Sequence, residues 1–232
     1  KNFHEVKKLN SNKKIAFVDG GNAEIFASSN FSLNIMRTAY SIYQNNKKIN
    51  MKKFEIFAFV QAVNESNEIH YKTSFFRINS SMNLEEMSFS SFDHTLMIGI
   101  NRAEISSVAN ALRRFAELST AKFIADNKLA DTIVLDGNLQ TTITNENKNL
   151  NELYDSCSKN NIILAALSKT TSLFTDDGNL LSFVLDRISP LNLWYYHPIA
   201  EINNNNHKAE MYFAKLNEKS RAVRIMVENR LK

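Results

Sequence analysis

Residues 15–21, Ile15-Ala16-Phe17-Val18-Asp19-Gly20-Gly21, form a short apolar run that stops at a carboxylate and two glycines. The run reads as a buried strand entering a turn. The pattern returns at Ile133-Val134-Leu135-Asp136-Gly137, and the two copies together decide the reading of the chain. A carboxylate at a strand end is held by a rigid sheet, while the glycine beside it lets the chain turn or a ligand approach the backbone. If the two strands are neighbours, their carboxylates converge and repel each other until a proton or a cation intervenes. Oxygen-only donors favour a hard cation, Mg²⁺ or Mn²⁺. Asp-Gly is equally a common turn dipeptide, so each pair taken alone also reads as a plain turn.

Outward from the first run, three alternating β-rich segments cover residues 31–43, 54–63 and 68–78, with turn-like connections at 45–50 and 64–67. They predict an antiparallel meander. A helix follows, in which Asn101 and Glu104 fit a capping box. Ile105, Val108, Ala109, Leu112, Phe115, Ala116, Ser119 and Phe123 then fall on one stripe at helical spacing. Next come a strand over 131–135, a helix over 150–159, a strand over 162–167 ending at Ser168-Lys169, and a helix over 179–187. Three more strands are expected at 193–196, 210–216 and 222–227, with the Asn-rich stretch 203–206 as a hairpin tip. The order predicts an α/β fold with a mixed sheet. Open α/β sheets bind ligands at the carboxyl ends of their strands, where Asp19, Asp136 and Lys169 are expected.

Glu117 lies one position off the apolar stripe, on the flank of Arg113 and Ala121, from which a glutamate can reach toward the end of the sheet. Its plain reading is a surface pair with Arg113 one turn earlier, worth a few tenths of a kcal/mol. Lys169 reads as a phosphate ligand, as a cation that offsets carboxylate charge, or as a solvent lysine.

Composition narrows the field. At 232 residues with five glycines and two prolines, the chain suits a single domain with few linkers. Apolar residues make up 44% and charged residues 22%, an ordinary globular balance. No apolar run is long enough to span a bilayer, residues 1–14 lack the apolar stretch of a signal peptide, and a cytoplasmic protein is expected. Cys157, the single cysteine, excludes an internal disulfide and a cysteine-based zinc site, and reads as a passive residue. The net charge of +4 permits an anionic partner, though the basic residues are dispersed. No G-x-x-x-x-G-K-[ST] occurs, which argues against a P-loop ATPase, and no H-E-x-x-H occurs, which argues against a zinc hydrolase.

Three segments in order, 15–21, Arg113-Arg114-Phe115-Ala116-Glu117-Leu118 and Ile133-Val134-Leu135-Asp136-Gly137-Asn138-Leu139, resemble the NurA nuclease family. Ala165-Ala166-Leu167-Ser168-Lys169-Thr170-Thr171 is similar to that family's next block, and Tyr212-Phe213-Ala214-Lys215-Leu216 with residues 221–228 to its late strands. The resemblance implies an RNase H-like mixed sheet flanked by helices, with an antiparallel meander and extra C-terminal strands. It further implies Mn²⁺- or Mg²⁺-dependent cleavage of single- and double-stranded DNA by a homodimer working with a hexameric HerA-type translocase in DNA end resection and repair. By the same resemblance Asp19, Glu117 and Asp136 are metal ligands, and these three with Lys169 form the catalytic set. The family commonly has serine where Gly21 stands, and adds a metal-site histidine after its last strand. The sequence runs to Lys232 directly after that strand and has none there, so two readings stand: a C-terminal segment is missing, or this branch manages without it. His197, before Pro198, reads as structural, and His207 in the Asn-rich tip as solvated. Trp194, Tyr195 and Tyr196 read as a buried aromatic strand, with base stacking as the other use.

Two further readings stay open. One is a non-catalytic NurA-like subunit that binds DNA and regulates a hexameric translocase. The other is a different RNase H-like nuclease drawing on Asp176, Asp177 or Asp186 as a late acidic ligand.

Overall fold

In the computed structural model, which describes residues 2–78, 82, 84–199 and 208–229, strand pairing begins with β1 (Phe3–Glu5) and then β2 (Ile15–Ala27). The meander is β3 (Phe31–Gln44), β4 (Lys47–Glu65) and β5 (Glu68–Arg77), followed by the short β6 (Ser88–Ser90). Its turns are tighter than expected. Asn45 and Asn46 (φ 51° and 61°) and Ser66 and Asn67 (φ 52° and 66°) close two-residue hairpins. Left-handed conformations at both central positions match the strand twist, and asparagine tolerates them better than most residues. Much of the connection expected over 45–50 is therefore strand, and Lys47 pairs with Gln44.

The second half is α1 (Ile105–Asp126), β7 (Thr132–Asp136), α2 (Glu146–Lys159), β8 (Ile163–Ser168), α3 (Leu181–Ile188), β9 (Trp194–Tyr196), β10 (Ala209–Lys215) and β11 (Val223–Glu228). The described strands join in one mixed sheet, ordered β1-β9-β10-β11-β8-β7-β2-β3-β4-β5-β6. The β2–β7 and β7–β8 pairs are parallel and all others antiparallel. The expected α/β class with a mixed sheet is therefore observed. The 203–206 tip lies outside the described residues.

Two expectations need correction. The strand at 15–18 does not turn at Asp19-Gly20-Gly21: β2 runs on to Ala27, because β3 pairs with it along that length, with one register shift between Glu24 and Phe26. The capping box is also absent. Glu104 is itself the cap residue and makes no side-chain cap bond. Ala103 donates its N–H to Ser91 O at 2.8 Å and accepts from Tyr71 Oη at 2.6 Å, which ties the chain to the sheet just before the helix.

α1 packs on β2, β3, β4 and β7 and against α2. Val108, Leu112, Phe115, Leu118 and Ile124 are fully buried with Val18, Met36, Phe54, Ile133 and Leu135. Each such side chain contributes about 1.5–3 kcal/mol on leaving water. A smaller cluster of Leu185, Trp194, Phe213 and Ala222 holds the β9–β10 end. Among the described residues no helix is long and apolar enough to cross a membrane.

Candidate active site

The parallel pairing sets the site. Val18 lies beside Leu135, so the next residues along, Asp19 and Asp136, flank each other where β7 ends. β7 turns away at Gly137 (φ +115°), whereas β2 continues. Alternation puts Ala16, Val18 and Gly20 on the α1 side of β2 and leaves Asp19 on the opposite, exposed side, its Oδ1 accepting from Gly20 N at 2.8 Å.

Glu117 comes from α1. Its side chain is only 5% exposed, and it lies against Gly20 so closely that a Cβ there would sit 2.9 Å from both its Cγ and its Oε1. The plain surface-pair reading of Glu117 therefore fails on burial, although the pair itself exists. Arg113 Nη1 is 2.5 Å from Glu117 Oε1 and donates to Gly20 O at 3.3 Å. Arg114 Nη1 stands 4.0 Å from Glu117 Oε2. Desolvation pushes the Glu117 carboxyl up to about 7; the two guanidiniums pull it down, and the Asp19 charge adds to the rise. Burial wins because the carboxylate has lost nearly all its water.

Arg114 is committed elsewhere. Its Nε donates to Glu146 Oε1 at 2.8 Å and its Nη2 to Asn138 O at 2.8 Å. Glu146 is fully buried in the first turn of α2, and its Oε2 accepts from Thr142 N (2.7 Å) and Ile143 N (3.2 Å). This pair clamps α1 to the loop that leaves β7. On the other flank, Ser168 Oγ donates to Gly137 O and accepts from Arg224 Nη2 at 3.1 Å. Lys169 Nζ donates to Asp136 Oδ2 at 3.0 Å, and the neighbouring carboxylates Asp136 and, more weakly, Asp19 hold its ammonium above the usual lysine range. A cleft of about 460 Å³ runs between α1 and the end of β7, lined among others by Arg113, Arg114, Glu117, Asp136 and Asn138.

The structure thus brings Asp19, Glu117, Asp136 and Lys169 to the neighbourhood where β7 and β8 end beside β2. Three carboxylates are a suitable donor set for Mn²⁺ or Mg²⁺, and the missing Cβ at Gly20 gives Glu117 room beside the strand. The donor chemistry of the residues present suits such an ion. As placed, however, no group of three or more His, Cys, Asp or Glu side chains among the described residues could hold a metal ion. The reason is geometric: Glu117 meets β2 from the helix side, in the grip of Arg113, while Asp19 stands on the far side.

Other candidates lie elsewhere. His197 Nδ1 bonds to Met211 O at 3.2 Å and its ring stacks on Tyr212, a structural place in β9–β10. Trp194 is fully buried, and Tyr195 and Tyr196 pack against His4 and Phe3, so none of the three is a free stacking platform. Cys157 is buried in α2. Asp186 pairs with Lys215 at 2.8 Å. His207 lies outside the described residues. Sequence reasoning passed over Glu146. The available signal was an acid in a helix's first turn, hidden because that helix was expected to begin four residues later.

No protein-family model and no curated protein matches the chain. Among solved structures it is similar to Endonuclease V of Ciona intestinalis in complex with a 24mer DNA containing an inosine followed by a ribo-adenosine. The identity is 13%, the match covers 93% of this chain and 70% of that one, and the TM-score is 0.39. A likeness at that level carries no functional argument, and the site stands on its own geometry.

Proposed function

We propose that this chain is a divalent-metal-dependent DNA nuclease of the NurA type, built on an RNase H-like core. The observation that carries the reading is the meeting of Asp19 and Asp136 on neighbouring parallel strands with Glu117 of α1 against Gly20. A three-strand meander followed by two parallel strands, each preceded by a helix, supports the same core.

Asp19, Glu117 and Asp136 would hold Mn²⁺ or Mg²⁺, which supplies an activated water and stabilises the oxygen that departs from phosphorus. Lys169, 3.0 Å from Asp136, limits repulsion between the carboxylates and orients Asp136. Arg113 and Arg114 line the adjoining cleft with positive charge suited to a phosphodiester. Scattered Lys and Arg grip the DNA backbone rather than the bases, so binding falls steeply with salt and shows little sequence preference. The working assembly is a homodimer acting on single- and double-stranded DNA with a hexameric HerA-type translocase, in end resection and repair within the cytoplasm.

The test is cleavage of end-labelled linear DNA in Mn²⁺ by wild type and Asp136→Asn. Cleavage by wild type and none by the variant is expected, with both proteins equally folded. Equal cleavage by both would sink the assignment. A second reading, a non-catalytic NurA-like subunit that binds DNA and regulates the translocase, is favoured by one observation: Glu117 is paired with an arginine rather than turned toward Asp19. That reading predicts salt-sensitive DNA binding with neither cleavage nor tight Mn²⁺ binding.

A further inference from the structure

The buried carboxylate of the candidate site is already answered by a cation of the chain itself. The Arg113 Nη1 atom faces two oxygens, Glu117 Oε1 at 2.5 Å and Gly20 O at 3.3 Å, where α1 meets β2. A carboxylate and a carbonyl oxygen are the donor types a hard divalent ion selects. The two neighbouring arginines differ in how firmly they are held. Arg114, 12% exposed, is locked by Glu146 and the Asn138 carbonyl. Arg113, 36% exposed, reaches in from the cleft and has one carboxylate partner, so fewer contacts hold it in place.

Resting on the metal-centre reading above, we propose that Arg113 is the resident counter-ion of this centre: it occupies Glu117 until a divalent cation takes its place, and once displaced it binds a DNA phosphate in the adjoining cleft. A dication bound to Glu117 Oε1 and Gly20 O would stand where the guanidinium now stands and would repel it, so the two compete for one position. The displaced side chain stays tethered beside Asn110, Asn138 and Arg114 in the cleft, and its planar fork suits two phosphate oxygens. Metal and DNA then help each other bind, since each favours Arg113 off Glu117.

The experiment measures Mn²⁺ binding through the electron paramagnetic resonance signal of the free ion, without substrate, for wild type, Arg113→Gln and Arg113→Lys. A part-exposed pair is worth about 1 kcal/mol, so Arg113→Gln should bind Mn²⁺ roughly fivefold more tightly, and Arg113→Lys, which keeps the charge, close to wild type. Equal Mn²⁺ affinity in wild type and Arg113→Gln would overturn the proposal. The same proteins are titrated with a fluorescent single-stranded oligonucleotide with and without Ca²⁺, which also takes oxygen donors. Wild type should gain DNA affinity with Ca²⁺ and Arg113→Gln should gain less; an equal gain would overturn the phosphate role. Mn²⁺ binding by none of the three proteins would instead bring down the metal-centre reading itself, so the two failures are distinguishable. Should Arg113→Gln fold poorly, Arg113→Met, uncharged but of similar reach, replaces it: tighter Mn²⁺ binding is expected, and affinity equal to wild type would overturn the proposal.

Discussion

At Asp19-Gly20 the strand runs on; at Asp136-Gly137, beside it in the same sheet, the strand stops. The dipeptides are identical, yet their glycines meet different needs. Gly20 has no unusual backbone requirement but no room for a side chain: a Cβ would meet Glu117 at 2.9 Å and Thr38 Cγ2 at 3.1 Å. Gly137 has open space where its Cβ would be, but sits at φ +115°, which other residues rarely adopt. One glycine makes space for a carboxylate and the other turns the chain. The supports differ as well. The end of β7 is clamped by Arg114, Glu146 and Ser168, whereas β2 is held by continuous pairing with β3.

The sharpest way to break this contrast is Glu146→Ala. It leaves the Arg114 guanidinium largely buried without its carboxylate and strips the Thr142 and Ile143 N–H groups of their acceptor. Removing one partner of a buried pair costs about 3–5 kcal/mol. Urea unfolding should show that loss. A loss below about 1 kcal/mol, the range of an exposed pair, would mean the clamp is not what holds the β7 end.

How much of this could be read in advance follows the range of the interaction concerned. β7, β8 and the three late strands lie within one or two residues of where periodicity puts them, and α1 within about three, since period and turn chemistry are local signals. The three-residue strands β1 and β6 are too short to carry a period. The continuation of β2 past Gly21 depends on a partner strand, which an Asp-Gly-Gly sequence does not disclose. The strand ends drew attention to Asp19, Asp136 and Lys169, and the helix flank to Glu117. Nothing local says that Glu117 is buried or that Arg114 pairs with a glutamate 32 residues later. Those facts arise only when α1, α2 and the sheet pack.

A second test compares the pH dependence of Glu117 and its absence, in chelator. The native carboxyl sits near 7 against 4.5 unfolded, with Arg113, Arg114 and Asp19 facing it. Between those values the native state keeps a proton that the unfolded state has released, so stability falls as pH rises through the window and levels off above it. The difference corresponds to roughly 3 kcal/mol. Glu117→Gln should lack that fall when melts are compared from pH 4.5 to 8. Parallel profiles for the two proteins would show that the arginines, not burial, set the charge of Glu117.

The two glycines are then compared directly. Gly20→Ala should cost about 1–3 kcal/mol through overpacking. Thr38 cannot readily give way, because its hydroxyl is bonded to Thr120 at 2.7 Å, so Glu117 must move. Gly137→Ala should cost a similar 1–3 kcal/mol through backbone strain alone. Adding Glu117→Ala separates the causes. It should relieve Gly20→Ala by roughly 1 kcal/mol or more and leave the cost of Gly137→Ala unchanged, because only contacting residues couple. Equal coupling at both sites would erase the distinction.

The smallest effect expected is on the stability side of Lys169→Ala. Lys169 is 73% exposed and Asp136 38%, so their 3.0 Å contact is an open surface pair, unlike the pair of Arg113 with a buried Glu117. Exposed pairs are weak, and unfolding should shift by less than about 0.5 kcal/mol. Cleavage should nonetheless fall, because Asp136 loses the ammonium that steadies it against Asp19. A drop in cleavage at unchanged stability would place Lys169 with the chemistry at the β7 end. Unchanged cleavage would return it to the solvent lysines, leaving the cleft arginines Arg113 and Arg114 as the cations of this site.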